Sequence, residues 1–155
     1  MDRNNLAFAI VVALSVGGCS KPKPVTRDAF VRAGDAVCTS ARAKFAKLTV
    51  PKDGDVNGQI AYLAKTIDVQ RVGAAAFRAL KQPPKATDRD YLAGVLEDQT
   101  SLLTALEAAR TALQSGDEAV ASEGLIDVND RSAKLREKYR AFGFSVCGRA
   151  ATGSG

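Results

Sequence analysis

An all-α domain, an up-down-up-down antiparallel four-helix bundle over residues 26–147, is predicted by three observations. Four segments repeat apolar residues at three- and four-residue spacing, the pattern of a helix with one buried face. No segment alternates with period two over the length of a strand. The three connections, 49–55, 81–86 and 115–116, are short enough to make consecutive helices run antiparallel. Composition agrees: 155 residues, 46% hydrophobic and 25% charged, suit one soluble globular domain with a real core.

The first helix runs from about Thr26, an N-cap residue, to Leu48, with Phe30, Gly34, Val37, Ala41, Phe45 and Leu48 along one stripe. The second runs from about Val56 to Leu80 and carries Ile60, Leu63, Ile67, Ala74, Phe77 and Leu80. Pro83-Pro84 separates it from the third, which Thr87 caps with Asp90 three residues on. The third stripe is Leu92, Val95, Leu102, Leu106, Ala109 and Leu113, with Gln99 the one polar intruder. The fourth begins at Asp117 and shows Ala121, Leu125, Val128, Ser132, Leu135, Tyr139 and Phe142. Gly143 then stands where a left-handed residue ends a helix. Residues 148–155 are small and polar and read as a disordered tail.

The N-terminus reads as an address. After a polar start, Leu6 to Leu14 runs without a charge, and Ser15-Val16-Gly17-Gly18 leads to Cys19. The run is shorter than the ~20 residues a membrane span takes and matches the apolar region of a secretory signal. Cys19 directly after Val-Gly-Gly resembles the lipobox of bacterial prolipoproteins. The resemblance implies a signal peptide over 1–18, cleavage between Gly18 and Cys19, and diacylglycerol on Cys19. Residues 19–25, with Pro22 and Pro24 alternating with Lys21 and Lys23, then form an extended tether of about 20 Å or less.

Three cysteines become one anchor and one pair once Cys19 carries lipid. An exported chain sits where disulfides persist, so Cys38 and Cys147 are expected to bridge. Four extended residues after Gly143 climb about 13 Å, enough to fold back beside the first helix toward Cys38. The alternative is two free thiols or a redox pair, without C-x-x-C spacing or a histidine to lower a thiol pKa. In shape the chain is similar to small alanine-rich helical lipoproteins of unknown function from high-GC Gram-positive bacteria. The likeness rests on the lipobox, on Cys38 in the first helix, and on the closing run Tyr139…Phe142-Gly143-Phe144-Ser145-Val146-Cys147. It implies location and fold, and no reaction.

Catalytic chemistry has little to build on. There is no histidine, which removes Ser-His-Asp and Cys-His catalysis and imidazole metal ligation. No phosphate loop or nucleophile elbow occurs, and no cofactor is implied. Asp53-Gly54-Asp55-Val56-Asn57-Gly58 opens like a calcium loop, yet Ala64 stands where the closing Glu belongs, so a polar turn capping the second helix is the expectation. Carboxylate pairs such as Glu97/Asp98 and Asp127/Asp130 are expected on solvated faces. Each helix carries an interior glycine, Gly34, Gly73, Gly94 and Gly124, the first three at similar heights. With Ala74-Ala75-Ala76 they mark a close helix approach or a small cavity.

The formal charge of +5 is uneven. Residues 20–47 hold seven basic and two acidic side chains, and everything after them balances. That is a basic stretch beside the membrane or a plain solvated face, not a nucleic-acid footprint. The expected function is a non-enzymatic module, anchored to the cell membrane through Cys19, that presents a surface to an envelope protein. Its contact points would be the loops near Asp53–Asn57 and Ser115–Asp117. The alternative is a small-molecule or lipid carrier using a cavity between helices: a large apolar void favours it, and a core packed throughout excludes it.

Overall fold

The computed structural model describes residues 25–149. The expected signal peptide, Cys19, the tether through residue 24 and the tail from residue 150 lie outside the described residues. Within them the chain is all-α: α1 (Arg27–Phe45), α2 (Val56–Arg78), α3 (Ala86–Gln114) and α4 (Glu118–Phe142). Among the described residues, no helix is long and apolar enough to cross a membrane.

The helix starts follow side-chain chemistry. Thr26 Oγ1 accepts from Ala29 N at 3.1 Å, Asp55 Oδ1 from Gly58 N at 2.8 Å, and Asp117 Oδ1 from Val120 N at 3.1 Å. Each satisfies one of the amides a helix leaves unpaired, at about 1 kcal/mol per cap. The expected Thr87 cap of the third helix is incorrect. That helix starts two residues earlier, at Ala86, with Lys85 at the cap position and no side-chain bond. Pro83 and Pro84 set the entry instead: Pro83 is fully buried, and Arg89 reaches back to the carbonyls of both prolines. Thr87 is therefore already inside the first turn. The first two helices also end slightly short of expectation. Leu48 N bonds to Phe45 O at 2.9 Å and Leu80 N to Phe77 O at 3.2 Å, so the apolar spacing continues through a tighter turn after α-helical bonding stops.

Consecutive helices pair antiparallel. On α1 and α2, Phe30 meets Phe77 and Gly73 faces Ala41. On α2 and α3, Arg71 Nη2 meets Glu107 Oε1 at 2.6 Å and Arg78 Nη2 meets Thr100 Oγ1 at 2.9 Å. On α3 and α4, Tyr91 OH donates to Lys138 O at 2.9 Å while Gly124 lies over Ala109. In each case one number rises as the other falls, consistent with the up-down-up-down order. The sequential neighbours α1–α2, α2–α3 and α3–α4 carry the packing, and α1 and α4 do not pack directly along their length.

The expected stripes form the core, with one informative departure. Leu63, Ile67, Phe77, Leu92, Val95, Leu102, Leu106, Leu113, Val128 and Leu135 are buried, and burial of each such side chain contributes about 1.5–3 kcal/mol. On α1, however, Phe30 and Gly34 are buried, whereas Val37, Ala41, Phe45 and Leu48 are only partly so. Their stripe points where α4 would have to stand, and α4 is not against it.

One pole is closed by aromatic rings. Phe30, Phe77, Tyr139, Phe142 and Phe144 contact one another at centroid distances of 5.3–6.1 Å, mostly edge-to-face. Arg27 clamps the same pole. Its Nη2 donates to Phe142 O at 2.8 Å, its guanidinium carbon lies 4.5 Å from the Phe142 ring centroid, and Nη1 is 3.9 Å from buried Asp88. A cation on the last carbonyl of α4 suits the helix dipole there.

Candidate functional site

The site is built by the seven residues after α4. Gly143 adopts φ +107°, a left-handed geometry that costs little only for glycine, and turns the chain off the helix. Phe144, 2% exposed, then drops into the aromatic cluster beside Gly34. A Cβ at Gly34 would collide with Phe144 Cε1 and stand 3.0 Å from Phe77 Cε2, so a glycine here is a packing requirement.

Beyond Phe144 the chain bends around one carboxylate. Asp35 on α1 accepts from Ser145 N at 2.9 Å and Ser145 Oγ at 2.7 Å through one oxygen. Through the other it accepts from Val146 N at 2.8 Å and Cys147 N at 3.2 Å. These amides have no helix or strand to satisfy them, and Asp35 supplies the acceptors. Partial burial pushes the Asp35 carboxyl up, but the Ser145 hydroxyl and the three amides outweigh it and hold the pKa below the ordinary carboxylate value. One turn further along α1, Cys38 is disulfide-bonded to Cys147, with Cα atoms 5.2 Å apart. The expected bridge is present. The segment reaches it as a turn gathered on Asp35, not as the extended run anticipated.

The closing segment leaves a cavity of about 250 Å³ between the helices. Its walls come from the outer half of the α1 stripe, from Gln70, Gly73, Ala74 and Phe77 of α2, Gln99 and Leu102 of α3, Ser132, Leu135, Arg136 and Tyr139 of α4, and the closing segment with its disulfide. The partial burial of Val37, Ala41 and Phe45 is thereby explained: they face this space. An engineered apolar cavity of roughly 150 Å³ takes benzene, so this one accommodates on the order of ten heavy atoms.

Its polar side chains are Gln70, Gln99, Ser132, Tyr139 and three arginines. Gln99 Nε2 hydrogen-bonds the Tyr139 hydroxyl, while Gln99 Oε1 is buried without a partner among the described residues. Burial raises the Tyr139 pKa well above its usual value, so the phenol stays neutral. Arg42, Arg136 and Arg149 lie around the wall, and no aspartate or glutamate lines it.

The four interior glycines differ in what they face. Gly34 admits Phe144, Gly73 opens onto the cavity, and Gly124 lets α4 approach Ala109 closely, while Gly94 faces open space. Both expected roles, close approach and cavity, therefore occur, at different positions. The Asp53–Gly58 segment is a turn: Gly54 has φ +78° and Asp55 caps α2. Asp98 pairs with Lys138 at 2.5 Å and Asp127 with Arg131 at 2.6 Å, as expected for solvated faces.

Sequence reasoning missed Asp35 and the arginine rim. Asp35 had a readable signal, an acid one turn before Cys38 on the same helix, opposite a segment rich in unpaired amides. The arginines had none, because only the gap between α1 and α4 brings them together. No protein-family model matches this chain, and no curated protein or solved structure is significantly similar to it.

Proposed function

We propose that the protein is an extracytoplasmic lipoprotein, held at the bilayer through acylated Cys19, whose helical domain binds a small molecule between its helices without transforming it. The observation that carries the binding reading is the cavity itself. It stands between two helices that a fully packed bundle would bring together, and its walls mix apolar and polar side chains, as ligand sites do. Two features support a non-enzymatic role. No carboxylate lines the space, and its one phenol is held neutral, so no side chain there is poised as a general base.

The reading as a docking surface for an envelope protein has less support. In the loops expected to make contact, Asp55 and Asp117 are committed to capping their own helices. The most exposed apolar residues, Val50, Val72, Val120 and Ile126, are divided among a loop, α2 and α4 and form no single stripe. The membrane address continues to rest on Leu6–Cys19 and on the basic stretch that follows, which anionic lipid attracts.

Cavity filling tests the binding reading. Gly73 opens onto the space, where an added Cβ meets only Ala41 Cβ at 3.8 Å, so Gly73→Leu should fill it and keep the fold. The probe is naphthalene, added to the mature chain made without lipid and followed by saturation-transfer NMR. Binding to the wild type and its loss in Gly73→Leu are expected. Equal binding by both proteins, or by neither, would overturn the reading.

A further inference from the structure

The wall chemistry of the cavity specifies more than its size. Three of its lining residues are arginines from three separate segments: Arg42 from α1, Arg136 from α4 and Arg149 from the C-terminal segment. Not one acidic side chain accompanies them on the wall.

The three cations are not equivalent. Arg42 Nη1 lies 3.4 Å from the Arg149 carbonyl oxygen and already has partners in the protein. Arg149 Nε donates to Ser145 O at 3.0 Å, which fixes the stem and leaves its terminal amino groups directed elsewhere. Arg136 is half-buried on α4, and among the described residues it has neither a carboxylate nor a hydrogen-bond acceptor. A guanidinium is always charged and presents a fork of donors matched to an oxyanion. A half-buried guanidinium on a wall that carries two further arginines and no carboxylate draws an anion toward the space.

Below this rim lie Ala74, Phe77, Leu102 and Leu135, all buried and apolar. A cationic rim over an apolar floor is complementary to a molecule with one charged end. We infer that the cavity takes a small amphipathic oxyanion, a carboxylate or phosphate monoester on an apolar body of about ten heavy atoms. Arg136 and Arg149 would contact the head, and the Phe77–Leu102–Leu135 floor the tail. This inference rests on the proposed binding role of the cavity and adds the class of its ligand.

The test compares probes that share a tail and differ in the head. Sodium decanoate, decyl phosphate and uncharged decanol are titrated calorimetrically, below their micelle concentrations, into the mature chain made without lipid. Wild type should bind at least one anion about tenfold more tightly than decanol, the discrimination expected of one charge-assisted hydrogen bond. Which anion binds better distinguishes a carboxylate from a phosphate ligand. Arg136→Gln should remove the preference while leaving decanol affinity unchanged. Arg149→Gln, at an exposed side chain, should reduce it and guards against a folding defect in the first variant. Gly73→Leu should abolish binding of all three probes.

Equal affinity for decanol and both anions would overturn the oxyanion assignment and leave the cavity reading intact. A preference for the anions that survives both arginine substitutions would also overturn it. Absence of all binding, or binding untouched by Gly73→Leu, would overturn the cavity reading as well.

Discussion

Gly34→Ala should destabilise the protein, although the same change in an exposed helix interior stabilises. The favourable part is familiar: alanine is better than glycine in a helix by about 1 kcal/mol. Against it stands the position of the new Cβ, which would collide with Phe144 Cε1 and press Phe77 Cε2 at 3.0 Å. Both rings are almost fully buried, and Phe144 also touches Phe30, Tyr139 and Phe142, so neither can yield alone. Overpacking a tight core typically costs about 1–3 kcal/mol, and lifting Phe144 forfeits about another 1 kcal/mol of burial. The net expectation is a loss of about 2 kcal/mol, or roughly 1 M in urea midpoint at an m-value of about 2 kcal/mol/M.

The assay is urea unfolding followed by circular dichroism at neutral pH, with two controls. Gly94→Ala, where an added Cβ meets nothing within 4 Å, should gain up to about 1 kcal/mol. In a Phe144→Leu background the obstructing ring edge is gone, and Gly34→Ala should become neutral or stabilising, giving a coupling energy of about 2 kcal/mol. A Gly34→Ala protein as stable as wild type, or an identical effect in both backgrounds, would refute the reasoning.

Other predictions concern the clasp and the anchor. Non-reducing mass spectrometry should find a Cys38–Cys147 peptide; two alkylatable thiols would contradict it. Replacing both cysteines by serine should cost about 2–5 kcal/mol, since the bridge closes a separation of 109 residues; a negligible loss would mean that Asp35 and Phe144 hold the segment unaided. Because the Asp35 pKa is lowered on folding, its carboxylate contributes stability in full above the unfolded value of about 3.8, and that contribution is lost as pH falls through the folded value. Wild type should therefore exceed Asp35→Asn in stability by a constant margin at neutral pH, with the margin closing below about pH 3.8; a margin independent of acid would count against the four-bond clasp. Cys19→Ala should move the protein out of the detergent phase, and unchanged partition would defeat the lipoprotein assignment.

Much of the fold is legible along the chain because its determinants are local. Thr26, Asp55 and Asp117 cap helices through bonds three residues away, and Gly143 ends α4 through its own backbone freedom. The buried stripes of α2, α3 and α4 follow from helical periodicity alone. Thr87 shows the limit: a good capping residue was passed over because two prolines, one of them buried, fixed where the helix could begin.

The α1 stripe shows the deeper limit. Periodicity identifies Val37, Ala41 and Phe45 as one face, but it cannot say whether that face meets a helix or a void. That depends on the distance between the first and last helices, set by Phe144, Asp35 and the disulfide acting across more than a hundred residues. Sequence alone thus determined four helices with short connections and the partner of Cys38, and it is the sole basis of the lipoprotein proposal. Tertiary structure decided the cavity and its cationic rim, because Arg42, Arg136 and Arg149 become neighbours only where α1 and α4 are held apart.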